Sequence, residues 1–166
     1  YSVNGKINVL NLINENNILI STGKWMAMID QKGYIIWEKL VSDSIISLTP
    51  VKGDLLLCSH VNDNIYAITL FNFNKGEIKN LWKRNLTLNV GSRIKKIYYF
   101  SDNNFYIHVK ESNDKLFKLD INGNIQRIIE FPEIMKLYDI KVDKADNLIM
   151  EFLINNDVLV VKNINL

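Results

Sequence analysis

Cysteine is almost missing from this chain of 166 residues, and Cys58 is its one thiol. A lone cysteine excludes an internal disulfide framework. It also excludes zinc sites built from several thiolates at set spacings. Histidine is nearly as scarce, with only His60 and His108. Arginine is limited to Arg84, Arg93 and Arg127, scattered along a chain whose net charge is only +2. A polyanion-binding surface usually carries a basic stripe or an arginine cluster. The nearest approach here is Arg93, Lys95 and Lys96, which reads as a solvated strand face, so nucleic acid is not an expected partner. No apolar run approaches the ~20 residues needed to cross a bilayer, so no membrane segment is expected in this chain. No window of about eleven residues or more sustains a helical period, which predicts almost no helix. A nucleophile constellation, a phosphate loop and a dinucleotide fingerprint are missing too.

What the chain does contain is a repeat. Asp30-Gln-Lys-Gly33-Tyr-Ile35, Asn74-Lys-Gly76-Glu-Ile78 and Asp120-Ile-Asn-Gly123-Asn-Ile125 each place a glycine turn between two short apolar runs. The glycines fall 43 and then 47 residues apart. A second set of polar turns runs in phase, at Asn16-Asn17, Lys52-Gly53-Asp54, Asn103-Asn104 and Asp146-Asn147, each ahead of a mostly apolar run. Periods of about 40–50 residues made of short strands point to propeller blades. Hydrophobic residues at 48% and charged residues at 23% fit a folded domain and argue against disorder.

Short Ile/Val/Tyr/Phe-rich runs bounded by Asn, Asp and Gly carry the strand signature. They predict four sets of strands. The first is Lys6–Ile13, Ile18–Thr22, Trp25–Ile29 and Tyr34–Leu40; the second is Ser44–Pro50, Leu55–His60, Ile65–Phe71 and Ile78–Asn85. The third is Arg93–Phe100, Phe105–Lys110, Lys115–Asp120 and Asn124–Phe131; the last has three members, Lys136–Val142, Leu148–Ile154 and Val158–Lys162. The second strand of each set is apolar on both faces, as in Leu55-Leu-Leu and Phe105-Tyr-Ile, and must be covered on both sides. The fourth is mixed, as in Ile78-Lys-Asn-Leu-Trp-Lys-Arg, which suits an outer edge where charges also discourage aggregation.

The segment Asp30-Gln-Lys-Gly33-Tyr-Ile-Ile-Trp37 resembles the turn-plus-tryptophan signature of pyrroloquinoline-quinone-like, or quinoprotein-type, propeller repeats. The resemblance implies that a tryptophan four residues after the glycine packs between blades. Trp37 holds that spacing; Trp82 stands six residues after Gly76, and the third copy offers Ile128 and Ile129 instead. Trp37 and Trp82 are both expected to be buried between adjacent sheets. The Gly-His and Trp-Asp dipeptides of WD repeats and the double glycines of kelch repeats are missing. The expected fold is therefore all-β and β-propeller-like, with about four blades. One repeat domain spans 1–166, with blades at 6–40, 44–85, 93–131 and an incomplete 136–166. Because the chain starts at Tyr1 and the last set lacks a fourth strand, it is expected to form part of a larger propeller or to self-associate.

Candidates for chemistry are few. Counted from the preceding turn, His108 is level with Cys58, Ser21 and Glu151, and His60 with Lys110. A shared strand end could bring such groups toward one rim, but a metal or acid–base site needs partners within reach. Asp30 and Asp120 precede turn glycines, where a short carboxylate caps the backbone. Glu151, inside Leu148-Ile-Met-Glu-Phe-Leu-Ile, must face a rim or pair with a lysine. Asn85-Leu-Thr87 is an N-glycosylation pattern of the kind an asparagine-rich chain contains by chance. Quinoprotein enzymes hold their cofactor and calcium with residues that have no one-to-one match here. No catalytic, cofactor-binding or metal residue is therefore assigned, and no cofactor is expected. The expected function is a non-enzymatic propeller scaffold that binds a protein partner. The alternatives are a fragment of a quinoprotein-like enzyme and the luminal sensor domain of a stress-sensing kinase.

Overall fold

A computed structural model describes residues 9–14, 16–73, 78–143, 147–154 and 157–162. Those residues form fifteen antiparallel strands and no helix. The turn at 74–77, Asp146 and the expected strand start at 6–8 lie outside the described residues. The chain divides into two compact units, Tyr1–Leu88 and Asn89–Leu166.

The first unit holds two four-stranded meanders. One is β1 (Val9–Asn14), β2 (Asn17–Thr22), β3 (Trp25–Asp30) and β4 (Ile35–Leu40); the other is β5 (Ser44–Pro50), β6 (Leu55–Asn62), β7 (Ile65–Asn72) and β8 (Lys79–Leu86). The expected interior strands are interior: five consecutive residues of β6, Leu56 to His60, are buried. The outer strand β8 is exposed at six of its eight positions. A core of Leu19, Met26, Trp37, Leu48, Leu56 and Phe71 fills the space between the two sheets. Trp37 lies 5.7 Å from Phe73, ring centre to ring centre.

The second unit repeats the plan with β9 (Arg93–Tyr99), β10 (Phe105–Lys110), β11 (Lys115–Leu119) and β12 (Ile125–Glu130). A three-stranded sheet follows, made of β13 (Lys136–Val142), β14 (Leu148–Ile154) and β15 (Asp157–Lys162). Its core includes Tyr106, Leu116, Leu137, Met150 and Phe152, with Phe131 edge-on to Phe152 at 4.9 Å.

The two repeat turns that lie within the described residues, at Gly33 and Gly123, are built alike. Asp30 Oδ1 accepts from the amides of Lys32 and Tyr34 at 2.9 and 2.8 Å; Asp120 Oδ1 accepts from Asn122 and Asn124 at 2.9 and 2.8 Å. Gly33 and Gly123 sit at φ of 84° and 79°, left-handed values that favour glycine. These are the backbone-capping roles expected for the two aspartates.

Strand pairing settles the tryptophan spacing: each outer strand carries the same one-residue bulge, so the two additional residues of the second copy lie ahead of it. The extra residue is Ile36 in β4, Leu81 in β8 and Gln126 in β12, and the residue after it re-enters register: Trp37 opposite Met28, Trp82 opposite Leu70, Arg127 opposite Lys118. Trp82 is thus the true counterpart of Trp37 despite its longer spacing. The third counterpart is Arg127, not Ile128 or Ile129. Trp37 is buried as expected, whereas Trp82 is only half-buried. Bulges also realign the histidines. Residues Ile46, Lys95 and Tyr138 are extra in β5, β9 and β13, which places Ser59, His108 and Glu151 at one equivalent position and His60, Val109 and Phe152 at the next. Counting from Leu55 shifted the frame by one, because β5 and β6 begin pairing only at Leu56.

Candidate functional site

In the first unit, the link from β4 to β5 carries a buried carboxylate, Asp43. Its position follows from the backbone: Val41 N–H donates to Lys24 O and Ile45 N–H to Gly23 O, both at 2.8 Å, pinning the link to the β2–β3 turn. Asp43 Oδ2 then lies 2.7 Å from His60 Nδ1 and 2.9 Å from Lys83 Nζ, and Ser42 Oγ donates to Oδ1 at 2.9 Å. The hydrogen bond from Lys83 holds the Asp43 carboxyl below its ordinary range, against the opposing effect of burial. His60 Nδ1 and Asp43 Oδ2 thus form a close, buried charge-assisted contact. An ionised Asp43 accepts only, which puts the imidazole proton on Nδ1 and leaves Nε2 to accept from Thr69 Oγ1 at 2.8 Å.

This Asp43–His60–Thr69 chain has the order of groups that activates a hydroxyl nucleophile. Burial argues against that use here. Thr69 is 2% exposed and His60 5%, and burial holds the imidazole below its ordinary value, with Lys83 adding to the effect. The Asp43–His60–Thr69 chain forms one wall of a cavity of about 180 Å³, lined also by Lys39, Leu40, Ser42, Asn80 and Lys83. Lys39 Nζ donates to Ile78 O at 3.1 Å and lies 5.6 Å from the centre of the Phe71 ring.

In the second unit, His108 pairs with Asp114, Nε2 to Oδ2, at 3.1 Å, both nearly fully buried. The same Oδ2 accepts from Leu137 N–H at 3.1 Å, and Asp114 O accepts from Phe131 N–H at 2.9 Å. Phe131 and Leu137 are the counterparts of Val41 and Ile45, so a carboxylate oxygen of Asp114 does what Gly23 O does in the first unit. The His108–Asp114 pair is a clamp on the following sheet. Glu111 gathers Ser92 Oγ at 2.7 Å, Asn89 Nδ2 at 2.9 Å and Lys115 Nζ at 2.9 Å beside an open cavity of about 360 Å³. Burial raises the Glu111 carboxyl, but the bonds from Lys115 and Ser92 outweigh it and leave it below its ordinary value.

The other candidates resolve individually. Glu151 pairs with Lys141 at 2.7 Å, as a carboxylate in an apolar strand requires. Within the Arg93, Lys95, Lys96 group, Lys96 is engaged by Asp139 at 2.8 Å, and Tyr98 donates to the same oxygen at 3.0 Å. Burial pushes the Cys58 thiol up to about 12, which makes it inert. Among the described residues no three His, Cys, Asp or Glu side chains gather closely enough to hold a metal. No described helix is long and apolar enough to cross a membrane. Asp43, Thr69, Lys83 and Asp114 were not singled out from sequence. Each sits on a different element from its histidine or in a link, and only strand register brings them together.

No protein-family model matches the chain, and no curated protein matches it in sequence. Solved structures do match. BamB from Moraxella catarrhalis superposes with a TM-score of 0.65 at 12% identity, over 92% of this chain and 49% of its own. The WD40 domain of coronin from Toxoplasma gondii gives 0.65 at 11% identity, over 97% and 46%. A europium-containing methanol dehydrogenase gives 0.64 at 12%, over 89% and 36%. The chain spans about half or less of the length of these three structures. At such identities the likeness fixes the fold and nothing finer: the chain is all-β and propeller-like, built from four antiparallel sheets.

Proposed function

We propose that this chain is a non-catalytic propeller module that binds another protein, and that it forms part of a larger repeat domain of quinoprotein-like blades. The observation that carries the reading is the character of the outer strands. Among the described residues β4, β8 and β12 are each the last strand of their sheet, and each carries large exposed apolar residues: Ile36 and Leu40, Leu81, and Ile125 and Ile128. Open edges with apolar side chains invite pairing with another chain. The buried histidines support the same reading, since both are held in strand-to-link contacts with little access to solvent. Propellers of this general likeness include both a WD40 domain and a dehydrogenase, so the fold by itself favours neither binding nor catalysis.

The test is quantitative capture with the intact chain and with a variant carrying Ile36→Glu, Leu81→Glu and Ile128→Glu. A partner held at fixed stoichiometry by the parent and lost by the variant is the expected result. Equal capture by both would remove the outer strands from the interface and overturn the reading.

A further inference from the structure

Of the outer strands, β8 differs from the rest in charge. It carries Lys79, Lys83 and Arg84 and no acidic residue, and all three cations are exposed. β4 and β12 mix signs, with Glu38 beside Lys39 and Arg127 near Glu130. β8 also lines, through Asn80 and Lys83, the cavity of about 180 Å³ whose far wall is Lys39 and the β4–β5 link. Among the described residues lining it the one acid is Asp43, which is buried and already engaged with Lys83 and His60. Each lysine ammonium has three donors. Lys39 gives one to Ile78 O and Lys83 one to Asp43, so both keep donors for an incoming carboxylate. The rim adds apolar contact through Leu40, which lines the cavity and is 75% exposed.

Edge cations discourage a strand from pairing with a copy of itself. The same cations make the edge complementary to a strand of opposite charge. We infer that β8 and the adjoining cavity form a groove for an acidic, extended peptide segment. That segment adds to the open edge of β8 and places one carboxylate between Lys39 and Lys83. The inference rests on the protein-binding reading and deepens it by naming the partner's chemistry. Backbone pairing supplies the affinity and alternate side chains the selection, as in other strand-addition complexes.

Fluorescence anisotropy on the intact chain tests this, with labelled peptides of about ten residues alternating Val with Glu, Val with Ser, or Val with Lys. The Val-Glu peptide is expected to bind at least about tenfold more tightly than the Val-Ser peptide, with the gap closing as salt is raised. Methylating alternate backbone amides of the Val-Glu peptide is expected to abolish binding, because the ladder bonds are then lost. Lys39→Met is expected to weaken binding about tenfold. Lys83→Met also strips Asp43 of its partner and could unfold the sheet, so Lys39→Arg, which keeps the cation, is measured beside Lys39→Met and is expected to retain most of the binding.

Equal affinity for Val-Glu and Val-Ser peptides would overturn the acidic groove while leaving the protein-binding reading standing. Undiminished binding of the methylated peptide would reduce the groove to a charged patch and overturn strand addition. Full competition by free acetate would show an anion site without peptide recognition, and overturns the proposal equally. Loss of capture by the parent chain, measured separately, would sink the wider reading.

Discussion

Two buried imidazoles show how one residue type serves different neighbours. Burial holds both His60 and His108 below histidine's ordinary value of 6.5. The depressed folded value means that the unfolded chain takes up protons first as pH falls. Their contribution to stability is therefore complete above about 6.5 and is lost as pH drops from there toward the folded-state values. Asp43 and Asp139 lie below 3.8 and Glu111 below 4.5 in the fold, so a second loss begins as pH falls past about 4.5. Urea denaturation across pH is expected to show both steps, and His60→Asn with His108→Asn to flatten only the first. Asp114→Ala leaves His108 and the Leu137 amide without their carboxylate and is expected to cost about 3 kcal/mol or more. Lys96→Met, which breaks a pair whose lysine is 54% exposed, is expected to cost about 1 kcal/mol at most. If the two substitutions proved equally harmful, the clamp assigned to Asp114 would be wrong. Trp37→Ala is expected to cost about 3–5 kcal/mol by leaving a cavity against Phe73. Trp82→Ala, on a half-buried side chain, is expected to cost clearly less, about 1–2 kcal/mol.

Turns and bulges govern the single strand and the hairpin. Gly33 has open space around its Cα, so a methyl group there meets no atom; the obstacle is its φ of +84°. Gly33→Ala is thus expected to lower stability by about 1–2 kcal/mol through backbone strain alone. Gly33→Asn should recover part of that loss, since Asn tolerates the left-handed region better. Thermal melts of the two variants check the order, and an Ala variant as stable as the parent would refute the strain argument. Turn length, and not the bulge, makes a repeat read by residue count drift: the second copy has two more residues between its glycine and the bulge than the first. An extra residue at Ile36, Leu81 and Gln126 resets each outer strand against its neighbour, so Trp82 and Arg127 stand where Trp37 does.

Taken as a whole, protection is expected to follow depth within each sheet. Hydrogen exchange should be slowest in β6 and β10, each with five consecutive buried residues, and faster in the exposed β8 and β12. Uniform protection across β6 to β8 would argue that the β8 edge is already covered. If the chain is one stretch of a larger propeller, the purified 166-residue chain should associate in light scattering. A stable, concentrated monomer would favour a self-contained domain instead.

The strands, their grouping into three sets of four and one of three, and the apolar interior members were all legible in the sequence. Those features depend on local signals: the short Ile-rich runs between polar turns, the unbroken apolar run at Leu55–Leu57, and the Asp-to-Gly turns at Asp30 and Asp120. The roles of Asp30 and Asp120 were legible for the same reason, because their bonds close within four residues. The site was not legible. Asp43, His60, Thr69 and Lys83 are spread over a link and three strands, and they meet only because β6, β7 and β8 pair in one register beneath the link. A one-residue bulge decides which side chain faces that cluster, and a bulge leaves no mark in composition or period. Local chemistry writes the elements; hydrogen-bond register, set by the whole sheet, decides which residues meet.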